Sequence, residues 1–460
     1  MRLGNMLPHH LFSFTSKTPV ITTAMYITII AVIIDTSLNQ IYYLNVNQSV
    51  PPHIKVLTFI AISGICLIGQ YCFLQFVKAR STYIAKANTL HIRTLTRVAY
   101  LVQSVLTILF LSLLFQIIIE AQYTVVILIS CVAISSLFGV AIMILLSSKL
   151  ISWFRSDKNA TVLLYGISSA TIASNIAFGI VIVADLLLTK PDMIQPHFGW
   201  EYASSSLGSL NDAVLYGYSI SSISSFVIAW ISTILLLRQF SVRWKDKAHW
   251  IIVSIPLAYF LIQFQPLFFE LFSQLIGSQP VLYNVVSTLF ITYSKPIGGL
   301  IFGGAFWAIT RRLHDNGINM DYTIISALGF ILLFISNQML LLSSASYPPF
   351  GLSAINLLGL SCYMVLVGIY SSAISVSQNV RIRTAIRKLV ENRSNLLDSI
   401  GATQMSRSLE NEVINIYNSL AEEISDDLGV APSLSPIEAK SYCDKVIEEL
   451  ENSYQTKRKT

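Results

Sequence analysis

The sequence predicts an all-α fold: a polytopic membrane bundle of ten transmembrane helices in residues 1–378, followed by a small helical cytoplasmic tail in residues 379–460. Three observations predict it. The 460 residues are 54% apolar and only 12% charged, with a mean hydropathy of +0.64. A soluble domain carries about 25% charged residues, so this chain cannot cover a water-facing surface. Ten runs reach the roughly 20 apolar residues that cross a bilayer as a helix. Basic residues, finally, alternate between the loops joining those runs.

The first span, Pro19–Ile41, is too long for a signal peptide and lacks a small-residue cleavage pattern, so it reads as an anchor. Val56–Val77, Val98–Ile119, Val125–Leu146 and Val162–Leu188 follow, with short loops. The loop before the second span carries Asn47-Gln48-Ser49, which matches a glycosylation sequon on the outer side. The connection Thr189–Asp212 is longer and holds Pro191, Pro196, His197, Trp200 and Glu201. Connections of that length are often functional, with a solvated linker as the plain alternative. Ala213–Leu237 clusters Ser219, Ser221, Ser222, Ser224 and Ser225, small residues that let helices approach closely. Trp250–Phe272 contains Pro256 and Pro266 and is expected to kink. Val281–Ile309 is interrupted by Lys295-Pro296-Ile297-Gly298-Gly299, and reads as one crossing kinked at Pro296 rather than a re-entrant hairpin. Tyr322–Leu342 and Phe350–Ser377 complete the set.

Alternate loops place 21 Lys and Arg on one side and two, Lys55 and Lys190, on the other. A hairpin at the eighth span would turn Arg311, Arg312 and the basic cluster after Ser377 outward, against the rule that basic loops stay inside. Both termini are therefore expected in the cytoplasm, in a plasma-membrane protein. Trp153, Trp244, Trp250 and Trp307 fall at the expected inner boundary, where an aromatic belt belongs. Residues 19–188 and 213–378 are similar in length, as inverted repeats would be, but share no visible sequence.

Lys295 is the residue that points to function. At mid-span a Lys costs at least roughly 2.5–3.5 kcal/mol, so it needs a carboxylate or water. Asp35, Glu120, Asp185 and Glu270 all lie toward the outer ends of their spans. Asp35 and Asp185 are the deeper two and the expected partners, beneath a cavity opening outward. Asn175, Gln263 and Asn337 lie near mid-span and Asn356 nearer the outer end. Lys295, Asp35, Asp185, Glu270, Asn175 and Gln263 are the candidate binding residues. The structural alternative is an ion pair that fixes helix packing.

The five cysteines form no CxxC pair, and four of them lie inside apolar runs, so they read as small apolar side chains. No phosphate loop, dinucleotide fingerprint, zinc-protease motif or nucleophile elbow is present, and none of the seven histidines lies well inside a span. No cofactor or metal is expected, and an enzyme is the least favoured class. Basic residues are scattered in short loops, so nucleic acid is not an expected partner.

The tail differs in composition. Up to Gln378 the chain has 19 basic and 11 acidic residues; from Asn379 onward it has 11 and 13. An apolar stripe runs through Ile382, Ile386, Leu389, Val390, Leu396, Leu397 and Ile400, and Gly401 is expected to interrupt it. A second stripe runs from Leu409 to Leu428 and ends near Pro432. Ser435-Pro436-Ile437-Glu438 is a strong start signal for a third helix. Such stripes must pack on one another, on a second copy of the chain, on a cytoplasmic partner or on the inner loops. Arg381–Lys388 sits where anionic lipid could bind.

The stretch Tyr347-Pro348-Pro349-Phe350-Gly351, the run Gly368-Ile369-Tyr370-Ser371-Ser372-Ala373-Ile374-Ser375-Val376-Ser377-Gln378, then Leu396-Leu397-Asp398-Ser399-Ile400-Gly401 and Pro432-Ser433-Leu434-Ser435, are similar to a multispanning membrane family of ammonia-oxidising archaea that has no assigned function. The resemblance covers roughly the last quarter of the chain. It implies a membrane location and a lineage, and no site residues. On the residues themselves, small-solute or ion transport through a polar site near Lys295 is the leading expectation. A membrane sensor that relays a signal to the tail is the alternative.

Overall fold

In the computed structural model the described residues are 19–43, 51–85, 90–194, 212–240, 246–262, 279–315, 321–338, 342, 346–378, 396–397 and 399–407. They are helical almost throughout: α1 Pro19–Tyr43, α2 Pro52–Ala85, α3 Leu90–Glu120, α4 Val125–Asp157, α5 Ala160–Leu188, α6 Asp212–Phe240, α7 Asp246–Ile262, α8 Pro280–Asp315, α9 Asp321–Ser336, α10 Leu352–Asn356 and α11 Leu358–Gln378. Six stretches are long and apolar enough to cross a membrane: those within α2, α3, α4, α5 and α6, and the α10–α11 run Leu352–Ser377. Thr23–Asn39, Val253–Ile262 and Tyr322–Ser336 are shorter apolar helices.

Local chemistry sets several ends. Pro52 opens α2, where a missing N–H costs nothing. Asn159 caps α5 by accepting the Thr161 N–H at 2.9 Å. Between α3 and α4, Tyr123–Thr124 pairs antiparallel with Met193–Ile194 and ties the α3–α4 turn to the segment after α5.

The bundle is organised around α11. The α10–α11 run Leu352–Ser377 is buried nearly throughout, as suits a helix that is apolar all round. α9 and α4 flank α11; α5 lies on α4, α6 on α5, and α8 on α9. Outer helices expose apolar stripes instead: Leu101, Ile108 and Phe115 recur every seven residues along α3, each more than 60% exposed. Large exposed apolar stripes around a closed interior belong to a lipid-facing surface.

Three expectations change here. α8 runs unbroken through Lys295 and Pro296. Its glycines allow close packing rather than an opening: a Cβ on Gly298 would collide with the Phe226 ring of α6, and one on Gly303 with the Ala327 carbonyl of α9. The interruptions lie in the next two spans. α9 stops at Ser336, short of Leu342, and the last span is split by a turn at Leu357. The chain enters α10 through Ser346–Gly351, with a cis bond at Tyr347–Pro348 and Gly351 at φ 91°, a conformation glycine adopts without strain.

Trp153 is buried and stacks on Tyr370 of α11, so it is a core residue and not an interfacial anchor. Trp307 is exposed, and the side chains of Trp244 and Trp250 lie outside those described. In the tail, 399–407 is helical straight through Gly401. The glycine is there for contact, since a Cβ would collide with Val376 of α11. Leu396, Leu397 and Ile400 are buried in the main core. The stripes from Leu409 onward, the break near Pro432 and the helix start at Ser435 lie outside the described residues.

Candidate functional site

Lys295 stands where α8 meets the end of α9. Pro296 has no N–H, so the helix leaves the Thr292 carbonyl, four residues back, without its backbone donor. Gln338, just past α9, donates Nε2 to that carbonyl at 3.1 Å. The end of α9 is thereby fitted into the proline gap of α8. Lys295 Nζ donates to the Asn337 carbonyl at 3.0 Å and reaches the Tyr218 hydroxyl at 3.5 Å, with the Tyr218 ring 5.5 Å away. A cation here meets the negative end of the α9 dipole and a carbonyl that the helix no longer uses.

The contact continues across the bundle. Asn337 Nδ2 donates to Asn175 Oδ1 of α5 at 3.0 Å. Asn175 Nδ2 donates to the Tyr218 carbonyl at 3.2 Å and to Ser221 Oγ at 3.3 Å, both on α6. One polar cluster therefore joins α5, α6, α8 and the end of α9. Among the described residues it is not saturated: Asn337 Oδ1 is buried without a hydrogen-bond partner, as are Thr292 Oγ1 and Ser336 Oγ on the two segments that meet here. Unpaired polar atoms in a low-dielectric interior are costly, and such groups are ones a ligand or water can satisfy.

Asp35 is a second polar centre. It lies on α1 with no exposed surface, and its Oδ2 accepts the Ser353 N–H at 3.2 Å. The backbone N–H groups of Gly351 and Ala354 also point at the carboxylate. One turn further along α1, Asn39 Oδ1 accepts from Ser346 Oγ at 3.1 Å, and between them Ser37 donates to the Tyr293 hydroxyl of α8 at 2.8 Å.

A third group closes the break at Leu357. Ser135 of α4 donates to the Ile355 carbonyl at 2.6 Å and accepts the Gly359 N–H at 3.2 Å. Gln103 of α3 donates to the Asn356 carbonyl at 3.3 Å, while Asn356 Nδ2 donates to Gln70 Oε1 of α2 at 3.1 Å. These side chains supply what an interrupted helix cannot supply itself, as non-helical backbone inside a membrane requires.

The sequence-based partner of Lys295 is therefore corrected. Among the described residues its polar contacts are a backbone carbonyl and a tyrosine, not a carboxylate. Asp35 is engaged by the backbone around α10, and Asp185 is exposed on the outside of α5. Lys295 does face inward, and Asn175 and Asn337 join it. Gln263 and Glu270 lie outside the described residues. A small apolar pocket lies between α4 and α5, lined by Ile129, Val132, Ile180, Val183 and Leu187. Tyr218, Gln338, Gln70 and Gln103 were missed. For the glutamines two signals were present: Gln70 and Gln75 in the second apolar span with Gln103 and Gln116 in the third, and a glutamine directly after Asn337.

Comparison with family models, with curated proteins and with solved structures finds no match to this chain.

Proposed function

We propose that this chain is an integral membrane protein with ten crossings and both termini in the cytoplasm, and that it moves a small solute or ion past the polar centre around Lys295. The ten-crossing count rests on ten apolar runs and the 21:2 division of basic loop residues. On this reading it resides in the cell membrane, belongs with the archaeal family it resembles, and uses no cofactor.

One observation carries the transport reading. At an interrupted helix end inside the bundle Lys295 donates to the Asn337 carbonyl, and among the described residues three buried oxygens of the two adjoining segments, Thr292 Oγ1, Ser336 Oγ and Asn337 Oδ1, have no partner. Discontinuous helices whose freed backbone lines a site near mid-membrane are how transporters commonly hold solutes and ions. The test is uptake of labelled small carboxylates, amino acids and rubidium ion into vesicles containing the purified chain. Lys295→Met lowers uptake of the transported probe by about tenfold or more, the scale of one lost charged contact. Unchanged uptake at unchanged protein content would reduce Lys295 to a packing residue.

A second reading, a sensor that signals through its tail, draws on a different observation. Arg407 donates Nη2 to the Ser152 carbonyl at 2.9 Å and also contacts Ser152 Oγ, so the segment after the last span is held against α4. Removing residues 408–460 leaves uptake intact in a transporter and abolishes output in a sensor. In either case the basic run Arg381–Lys388 would lie against anionic lipid.

A further inference from the structure

Asp35 is the one carboxylate among the described residues with no exposed surface at all, and its two oxygens are treated differently. Oδ2 takes the Ser353 N–H, whereas Oδ1 has no partner at hydrogen-bond geometry among the described residues, with the Gly351 and Ala354 N–H groups and the Ser353 hydroxyl nearby. Two further buried oxygens without partners among the described residues lie on elements that pack against α1. Ser353 Oγ lies beside the Asp35 carboxylate and the Cys66 thiol of α2. Ser63 Oγ lies on the face of α2 defined by Phe59, which meets the Phe350 ring edge-on at 5.5 Å, and by Cys66. Among the described residues the carboxylate thus lacks one bond, and two hydroxyl oxygens on the elements packed against α1 lack one each.

We propose that Asp35 is a proton-binding site: Oδ1 carries a proton in the arrangement described here and donates it to Ser353 Oγ or Ser63 Oγ. An ionised carboxylate buried without a cation is very costly and takes up a proton instead. Asp35 has no cation beside it among the described residues, because Lys295 is engaged by Asn337 and Tyr218. A proton on Oδ1 removes the uncompensated charge and gives that oxygen a hydrogen to donate to the neighbouring hydroxyl. A metal ion fits worse. It needs several oxygen ligands, and here it would face the N–H groups of Gly351, Ser353 and Ala354. The other titratable groups nearby do not compete. Cys66 of α2 is a buried thiol. Tyr293 of α8 is committed to Ser37, and Tyr347 stacks on Tyr123. α9 brings none to this end, since its ionisable residues, Asp321 and Tyr322, are at its start. Release is the simple dissociation of the carboxylic acid, the proton passing to water once the 351–354 backbone moves and the site hydrates. Resting on the transport reading, the proton is then the coupling ion for the solute held at Lys295.

The test is the infrared carbonyl band of a protonated carboxylic acid, recorded on the full chain in lipid at about neutral pH. The expected result is a band that disappears in Asp35→Asn and stays in Asp185→Asn. Ser353→Ala together with Ser63→Ala, which leave the carboxyl in place, shift the band by removing its acceptors. Absence of the band in the unsubstituted chain, its survival in Asp35→Asn, or an unshifted band in the double serine variant would overturn the assignment. Where Asp35→Asn fails to fold, Asp35→Glu keeps a carboxyl at the site and gives the decision by shifting the band, while an unshifted band overturns the assignment. Uptake into vesicles separates this proposal from the one beneath it. A pH gradient drives the transported probe to accumulate in the unsubstituted chain and not in Asp35→Asn. Uptake that ignores the gradient overturns the coupling while leaving transport standing; an Asp35 band with no uptake of any probe overturns transport and leaves the proton site.

Discussion

Replacing Gln338 by Leu removes the only described donor to the Thr292 carbonyl and leaves that carbonyl bare in the middle of the bundle. Interhelical hydrogen bonds in membranes are worth about 0.6 kcal/mol on average and up to about 1.7. A buried acceptor left unsatisfied costs about 1–3 kcal/mol. The substitution is close in volume, so the expected loss is about 1–2 kcal/mol, a change of roughly tenfold in the unfolding equilibrium. The reasoning also makes a sharper claim. The carbonyl is free because Pro296 cannot donate to it, so Pro296→Ala returns a backbone N–H and lets α8 satisfy itself. In that background Gln338→Leu costs about 0.5 kcal/mol or less, and the two substitutions couple by about 1 kcal/mol. Reversible unfolding of the four variants in mixed micelles of rising sodium dodecyl sulfate, followed by tryptophan fluorescence, measures the cycle. Equal losses from Gln338→Leu with and without Pro296→Ala would show that Gln338 does not serve the proline gap, and the account of how α9 seats against α8 would fall.

Single cysteines placed beside Arg311 react with a membrane-impermeant maleimide only after permeabilisation, and labelling in intact cells refutes the ten-crossing topology. Gly401→Val forces a side chain into Val376 and costs about 1–3 kcal/mol as overpacking does. It speeds proteolysis within residues 396–407 while the bundle stays folded, whereas an unchanged cleavage rate means the segment is not held on α11.

Membrane class and helix positions were legible in the sequence because both depend on local quantities. Whether a run of residues is apolar enough for a bilayer needs no knowledge of its neighbours. Lys295, Asn175 and Asn337 stood out for the same reason, since a polar group in such a run is costly wherever it points. Partners are a different matter. A helix apolar on all sides carries no stripe to say which face meets which helix, so charge alone joined Lys295 to Asp35 or Asp185 in the sequence reading. Packing decided otherwise. Lys295 serves the carbonyl end of α9, Asp35 serves the N–H groups at the start of α10, and Asp185 looks outward. Proline and glycine misled in the same way. Lys295-Pro296 reads as a break, yet α8 continues because Gln338, 42 residues later in the chain, fills the missing bond. The real interruptions, after Ser336 and at Leu357, carry weaker local marks and are held open by Ser135, Gln103 and Asp35 from other helices. Apolar length is a property of a segment, whereas the satisfaction of a backbone group inside a membrane is a property of everything packed against it.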